Sequence, residues 1–273
     1  MTSRRWILTA IAVLVALAGL GTWRLFVHST HLQPALITPK MNAQEAIAPS
    51  FATRVRRVLH EHAADNRADR PKLIALTFDD GPYPVMTPLL LDELARLHAK
   101  ATFFLIGRDA EQWPELARRV EAGGNEIADH TYTHPNLDQE TPDQVREEIL
   151  KGRDVLDALV RDPAIDVLFR PPHGRYTVAT IEVAQRLGYR TVLWTDDAGD
   201  WRTLTAAQLA SHLEAHATAP EIVLLHSGKL ATIQMLPEVV ARFRAAGYRF
   251  VTVGELLARV SPKELNHPAK HGV

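Results

Sequence analysis

The chain has 273 residues, 46% of them hydrophobic and 23% charged, which is enough apolar material to bury a core and too much for a disordered chain. Its 31 Lys+Arg against 32 Asp+Glu leave a net charge of −1, so no bulk charge draws it toward nucleic acid. Without a single cysteine it forms no disulfide framework, carries no thiolate nucleophile, and must build any metal site from His, Asp and Glu.

At the N-terminus, Arg4 and Arg5 precede residues 6–23, a run of eighteen without a charge. At about 1.5 Å of rise per residue, a helix of that length covers roughly 27 Å, close to the hydrocarbon thickness of a bilayer. Trp6 and Trp23 at its two ends suit an interfacial anchor, and the two arginines put the short N-terminal side in the cytoplasm and the remainder outside. The competing reading is a signal peptide cleaved at the small-residue run of Ala16, Leu17 and Ala18. Residues 1–27 are therefore expected to be a membrane anchor or signal segment. The rest would lie in the cell envelope, either anchored in the inner membrane and facing the periplasm or exterior, or secreted. Residues 28–70, interrupted by Pro34, Pro39 and Pro49, read as a linker with one short helix near 51–62; residues 261–273 read as a frayed tail.

Between these ends the chain alternates. Short apolar runs at 73–78, 101–106, 126–128, 166–169, 190–194, 221–225 and 249–253 predict strands, and helical patterns at 87–98, 109–122, 141–160, 178–187, 205–217 and 230–245 separate them. Thr141 with Gln144, and Thr205 with Gln208, each fit a capping box, in which Thr covers an early helical N–H and Gln reaches back. Gly123, Gly188 and Gly247 fall just past helix ends, where left-handed backbone costs glycine least. Strands that are apolar throughout and separated by helices call for a parallel sheet covered on its outer side. Seven such units predict an α/β fold, a distorted and incomplete (β/α) barrel with about seven parallel strands; a doubly wound open sheet is the alternative.

The polar residues hardest to explain as structure fall at the C-terminal ends of these strands: Asp79 and Asp80 on the first, His130 after the third, Arg170 on the fourth, Asp196 and Asp197 on the fifth, His226 on the sixth. In a parallel barrel those ends converge on the face where active sites are built. One carboxylate and two imidazoles suit a catalytic zinc or similar divalent ion with positions left open. His130 and His134, four apart, supply the imidazoles, and Pro135 biases His134 away from helical dihedrals, so the pair is expected on a turn. Asp79 and Asp80 are neighbours on a strand and point in different directions, so one can ligate while the other stays free as a base. His212 and His216 also have the four-residue spacing, but mid-way along a covering helix, away from the strand ends, with no third ligand in evidence. His28, His31, His60, His62, His267 and His271 read as solvated.

These residues resemble the polysaccharide deacetylases of carbohydrate esterase family four from about Lys72 to Val260. Five motifs occur in order: TFDDGP at 77–82, HTYTH at 130–134, RPPHGRY at 170–176, DAGDW at 197–201 and IVLLH at 222–226. The resemblance implies a distorted barrel catalytic domain over 71–260, with Asp80, His130 and His134 as metal ligands and Asp79 as the general base. It implies that Arg170 holds the base carboxylate ionised and that Asp200 pairs with His226, the acid for the departing amine. The resemblance further implies a divalent metal, zinc before cobalt or nickel, that would polarise the acetyl carbonyl and acidify the attacking water, with the His173 backbone N–H helping to hold the oxyanion. Leu224 and Trp201 would line the acetyl pocket, with Pro172 beside the substrate. Two departures stand out: His173 occupies a position often aromatic in the family, and Ser227-Gly228 follow His226 where Asp is common. The expectation is a metal-dependent hydrolase releasing acetate from N-acetylated amino sugars of a polysaccharide or oligosaccharide. Its partners would be the glycan and, through its N-terminus, the membrane, with no nucleic acid and no obligate protein partner. An O-acetyl ester hydrolase, and a non-catalytic glycan-binding envelope protein, are the alternatives.

Overall fold

A computed structural model describes residues 72–160, 168–261 and Leu265. The expected membrane or signal segment, the linker, and all of the tail but Ser261 and Leu265 lie outside the described residues, as do positions 166 and 167 of one expected strand. No helix among the described residues is long and apolar enough to cross a membrane.

The strands are β1 (Leu73–Asp79), β2 (Thr102–Leu105), β3 (Glu126–Asp129), β4 (Leu168–Phe169), β5 (Arg190–Thr191), β6 (Asp196–Asp197), β7 (Glu221–His226) and β8 (Arg249–Phe250). The helices are α1 (Met86–Arg96), α2 (Gly107–Gln112), α3 (Pro114–Ala122), α4 (Pro142–Leu159), α5 (Val178–Arg186), α6 (Ala206–His216), α7 (Leu230–Ala245) and α8 (Val253–Leu257). The sheet runs β5-β4-β3-β2-β1-β7-β6, with β8 on the beginning of β1, and its ladders are parallel. It curls into a half-barrel. Its two edge strands, β5 and β6, are consecutive in the chain, and the residues joining them bond to the next strand in at each side: Val192 N–H donates to Phe169 O of β4 and Thr195 N–H to Ile222 O of β7, each at 2.8 Å.

Both faces of the central strands β1, β2 and β7 are buried, so the period of two separates inside from outside and not apolar from polar. Ile74, Leu76 and Phe78 of β1 join Phe103, Leu105, Ile127, Val223 and Leu225 in the cluster under the helices. Leu73 and Ala75 join Phe104, Ala128, Leu168 and Ile222 in the interior. Burying each large aliphatic or aromatic side chain of this kind contributes about 1.5–3 kcal/mol. Continuing the interior parity toward the C-terminal strand ends gives Thr77 and Asp79 on β1, His130 after Ala128, Arg170 after Leu168, and Leu224 and His226 on β7. The pleat that fills the core thus aims the polar set inward.

The capping boxes of Thr141 with Gln144 and Thr205 with Gln208 are both formed, and Gly188 and Gly247 are left-handed at φ 93° and 87°. Four expectations are corrected. The strand over 190–194, with Asp196 and Asp197 at its end, is two short strands, because this segment must leave the β4 edge to reach β7. The helix over 109–122 breaks at Trp113 (φ −126°, ψ 61°), since a residue before proline is disfavoured in helical backbone. The strand over 249–253 stops at Phe250, where Thr252 caps α8 by accepting the Glu255 N–H at 3.2 Å. Gly123 is right-handed and Gly124 takes the left-handed turn at φ 73°.

Candidate active site

Three linked groups meet at the C-terminal end of the sheet. The first is built round Arg170, a fully buried guanidinium. Its Nη1 donates to Asp79 Oδ1 at 2.6 Å and Thr77 Oγ1 at 2.8 Å, its Nε to Val192 O at 3.1 Å and its Nη2 to Leu193 O at 3.0 Å. Phe104 lies under it, 3.9 Å from Cζ to ring centroid. Burial pulls the Arg170 pKa down and Asp79 pushes it back up. Asp79 is thereby held in one orientation, with its other oxygen 3.7 Å from His130 Nε2.

The second group is Asp80, His130 and His134, whose ligand atoms all lie within 4.8 Å of one another. Asp80 Oδ1 is 3.2 Å from His134 Nε2 and 3.8 Å from His130 Nε2. His130 Nδ1 lies 2.8 Å from the carbonyl of Arg170; a carbonyl only accepts, so Nδ1 carries the proton and the Nε2 lone pair faces the cluster. Burial pushes His130 down to about 4 against the raising charges of Asp79 and Asp80, so it is a neutral imidazole at physiological pH. Burial would raise Asp80, but the hydrogen bond with His134 and the imidazole charges hold it at about 2. One ionised carboxylate and two imidazole nitrogens in reach of one point fit a divalent ion of the zinc type.

The third group carries His226. Its Nδ1 is 2.6 Å from Asp200 Oδ1 and its backbone N–H donates to Asp200 Oδ2 at 2.8 Å. Because a carboxylate accepts, Nδ1 is the donor and Nε2 is left to face the site. Burial alone would lower His226, but the hydrogen bond and charge of Asp200, with the charges of Asp79 and Asp80, outweigh it and raise the imidazole above its ordinary value. Between His226 and Asp80 opens a cavity of ≈ 380 Å³, lined also by Tyr83, Val85, Met86 and Lys229, within the size range of small-ligand sites.

The remaining expected residues are spread around this centre. Leu224 is buried and in register with both Thr77 and Asp197. Pro172 is buried at the start of the single turn Pro172–Gly174, in which His173 is left-handed (φ 57°) and its ring centroid lies 4.5 Å from that of His134. Trp201 is 55% exposed, its indole N–H donating to Asp197 Oδ2 at 3.3 Å. Asp197 also accepts the Gly199 N–H at 2.8 Å, which makes it a brace for this loop. His212 and His216 stack on one another at 4.3 Å, with His212 Nε2 3.1 Å from Asp196 Oδ1; among the described residues they do not form a three-ligand group.

Sequence reasoning missed several supports. Thr232 donates to Asp200 Oδ2 at 2.6 Å, Ser227 Oγ donates toward the carbonyls of Asp79 and Asp80 at 3.1 and 3.0 Å, and Thr77 bridges Arg170 to Val223 O. A lone hydroxyl gives no periodic signal. The one clue was parity, which puts Thr77 two residues before Asp79 on the interior face.

A family model described as polysaccharide deacetylase matches residues 66–192. The chain is 38% identical over 191 residues to a peptidoglycan-N-acetylglucosamine deacetylase of Bacillus cereus, covering 68% of this chain and 88% of the relative. It is 34% identical over 155 residues to a chitooligosaccharide deacetylase of Azorhizobium caulinodans, covering 57% and 73%. Among solved structures it resembles BA3943, a CE4 family pseudoenzyme from Bacillus anthracis, at 26% identity and a TM-score of 0.65, covering 68% of this chain and 66% of that one. The fold therefore occurs with and without turnover, and the side chains at the strand ends must carry the functional argument.

Proposed function

The chain belongs to the polysaccharide deacetylase family, and on that premise we propose that it is a metal-dependent N-deacetylase that hydrolyses the acetamido group of N-acetylated amino sugars in a cell-envelope or extracellular glycan. Zinc, before cobalt or nickel, is the ion assigned to Asp80, His130 and His134. The observation that carries the reading is the meeting, at one end of the sheet, of the Arg170–Asp79 pair, that trio and the His226–Asp200 pair. The BA3943 relative makes the completeness of this set the decisive point.

A divalent ion bound there supplies Lewis acidity toward the acetyl carbonyl and acidifies water. Asp79, fixed by Arg170, takes the proton of the attacking water. The His173 N–H is the protein donor proposed for the oxyanion that develops on the acetyl oxygen. His226, protonated and oriented by Asp200, gives its Nε2 proton to the sugar nitrogen as the C–N bond breaks, so acetate and a free amine leave. Leu224, Pro172 and Trp201 are assigned to the acetyl and sugar surfaces. Residues 6–23, outside the described residues, would hold this domain at the membrane with its active end outside the cytoplasm, or direct its export.

Peptidoglycan is the first substrate to test, with N-acetylglucosamine oligomers beside it. Acetate release by the full chain is measured after chelation, after zinc is restored, and for Asp79→Asn. The expected result is zinc-dependent release that the substitution reduces by about 10²–10⁴-fold. An O-acetyl esterase would release acetate from acetylated xylan and tolerate His226→Ala, because an alkoxide leaves more readily than an amine. Glycan binding with no acetate from any substrate or metal would identify a second pseudoenzyme.

A further inference from the structure

The segment that carries His130 and His134 is held in costly backbone. Thr131 (φ 68°) and His134 (φ 65°) are both left-handed without being glycine, a conformation that crowds Cβ against the following carbonyl. Such a turn persists only if its surroundings over-determine it. On one side, Thr131 O and Tyr132 O accept the N–H groups of Gly107 and Arg108 in the first turn of α2, each at 2.9 Å. Within the turn, Thr131 N–H donates to Asp129 Oδ1 at 2.7 Å and His134 N–H to Thr131 Oγ1 at 3.1 Å.

On the opposite side the Tyr132 N–H reaches the Glu148 backbone carbonyl at 3.1 Å, and the rest of the hold comes from the Glu148 carboxylate. Glu148, in the middle of α4, accepts the backbone N–H groups of Tyr132 and Thr133 on Oε2 at 3.1 and 2.8 Å, and the Thr133 hydroxyl on Oε1 at 2.7 Å. Both residues between the left-handed pair are thus tied to one side chain through charge-assisted bonds. The helix reaches the turn because Gly152, one helical turn beyond Glu148 and on the same face, has no side chain: a Cβ there would stand 2.9 Å from the Thr131 carbonyl carbon. Lys151 Nζ, from the same helix, lies 3.8 Å over the Tyr132 ring.

We propose that Glu148 is a positioning residue for the metal centre: by clamping Tyr132 and Thr133 it fixes the relative placement of the two imidazoles and so sets metal affinity, without touching substrate or reacting atoms. This rests on the metal-centre reading above. Partners that orient ligands without contacting the metal typically contribute 10–100-fold to its affinity. The test is the zinc affinity of the full chain, by competition with a chromophoric chelator, for the wild type, Glu148→Ala, Glu148→Gln and a His130→Ala control, with folding checked by circular dichroism. Glu148→Ala is expected to bind zinc about 10–100-fold more weakly, with the lost turnover recovered as zinc is raised. Glu148→Gln keeps one acceptor oxygen and is expected to lose less, at least about threefold by the same reasoning. Affinity within twofold of wild type in a folded Glu148→Ala, or in Glu148→Gln should the alanine variant not fold, overturns the proposal, as does a turnover loss that excess zinc leaves unchanged. Wild-type zinc binding that His130→Ala leaves intact overturns the metal centre itself, and the role of Glu148 with it.

Discussion

Arg170 illustrates how much one residue can be asked to do. A buried guanidinium is tolerated because its donors meet two carbonyls, a hydroxyl and the Asp79 carboxylate; breaking such a pair from one side leaves an uncompensated buried charge, at a cost of about 3–5 kcal/mol. Arg170→Met is expected to lower stability by that order in chemical denaturation, whereas Asp79→Asn keeps a hydrogen-bonding partner and should cost less than half of it. Equal losses would mean that the retained hydrogen bond does not offset the uncompensated charge. His226 carries a second expectation at this scale. Its pKa is raised, so the imidazolium needed as acid persists above the ordinary 6.5 and is lost only as pH rises through the higher native value. Asp200→Asn removes the chief raising influence and leaves burial, which lowers. The alkaline limb of the kcat profile should move to lower pH; a limb that stays in place would remove His226 from the role of acid.

At the scale of elements, the contact between α4 and the HTYTH turn decides the site. Gly152 is buried, and a Cβ at this position would meet Asp129 Oδ1 at 2.7 Å and backbone of Thr131 at 2.9 Å. Two effects oppose one another in Gly152→Ala. Helix propensity favours alanine by about 1 kcal/mol, while overpacking against backbone costs about 1–3 kcal/mol. We expect the clash to win, with a lower Tm and weaker zinc binding together; a higher Tm would show that α4 can move aside without disturbing the turn. The same scale explains the element boundaries. Pro114, Thr252 and the crossing from β4 to β7 each override local apolar pattern, because a missing helical conformation, a cap or a change of hydrogen-bonding partner acts on one or two residues.

For the whole molecule, buried acids set the response to pH. Glu221 is buried at the beginning of β7, one carboxylate oxygen has no partner, and burial together with Asp196 raises its pKa well above 4.5. Asp129 is pushed up to about 8 by burial, against the hydrogen bonds it accepts. A carboxyl with a raised native value contributes stability that is complete below its unfolded value and lost as pH rises through the native one. Each group therefore makes the fold less stable from about pH 5 upward. Glu221→Gln fixes the neutral form, so its Tm should fall less steeply than wild type between pH 5 and 8. Parallel Tm curves would show that Glu221 does not change protonation over that range.

Much of this was legible from residues alone. Strand and helix alternation follows from apolar periodicity, which acts over many residues at once: a strand lies within each of the seven expected runs, shorter than read at 190–194 and 249–253, and the capping boxes at Thr141 and Thr205 are formed. His130, His134 and one of the two neighbouring aspartates were legible as types and spacings, whereas the choice of Asp80 and the pairs Asp79–Arg170 and Asp200–His226 were implied only by the resemblance that the five motifs carry. Only the tertiary structure decided that interior pleat parity delivers Asp79, His130, Arg170 and His226 to one point, that Trp201 stands exposed while Asp197 braces its loop, and that Glu148, Thr232 and Ser227 hold the set in place. Those three residues contact partners 15–16, 32 and 147–148 positions away along the chain. A hydrogen bond depends on ångström-scale approach and direction, and no local periodicity encodes an approach between segments that meet only when the sheet curls.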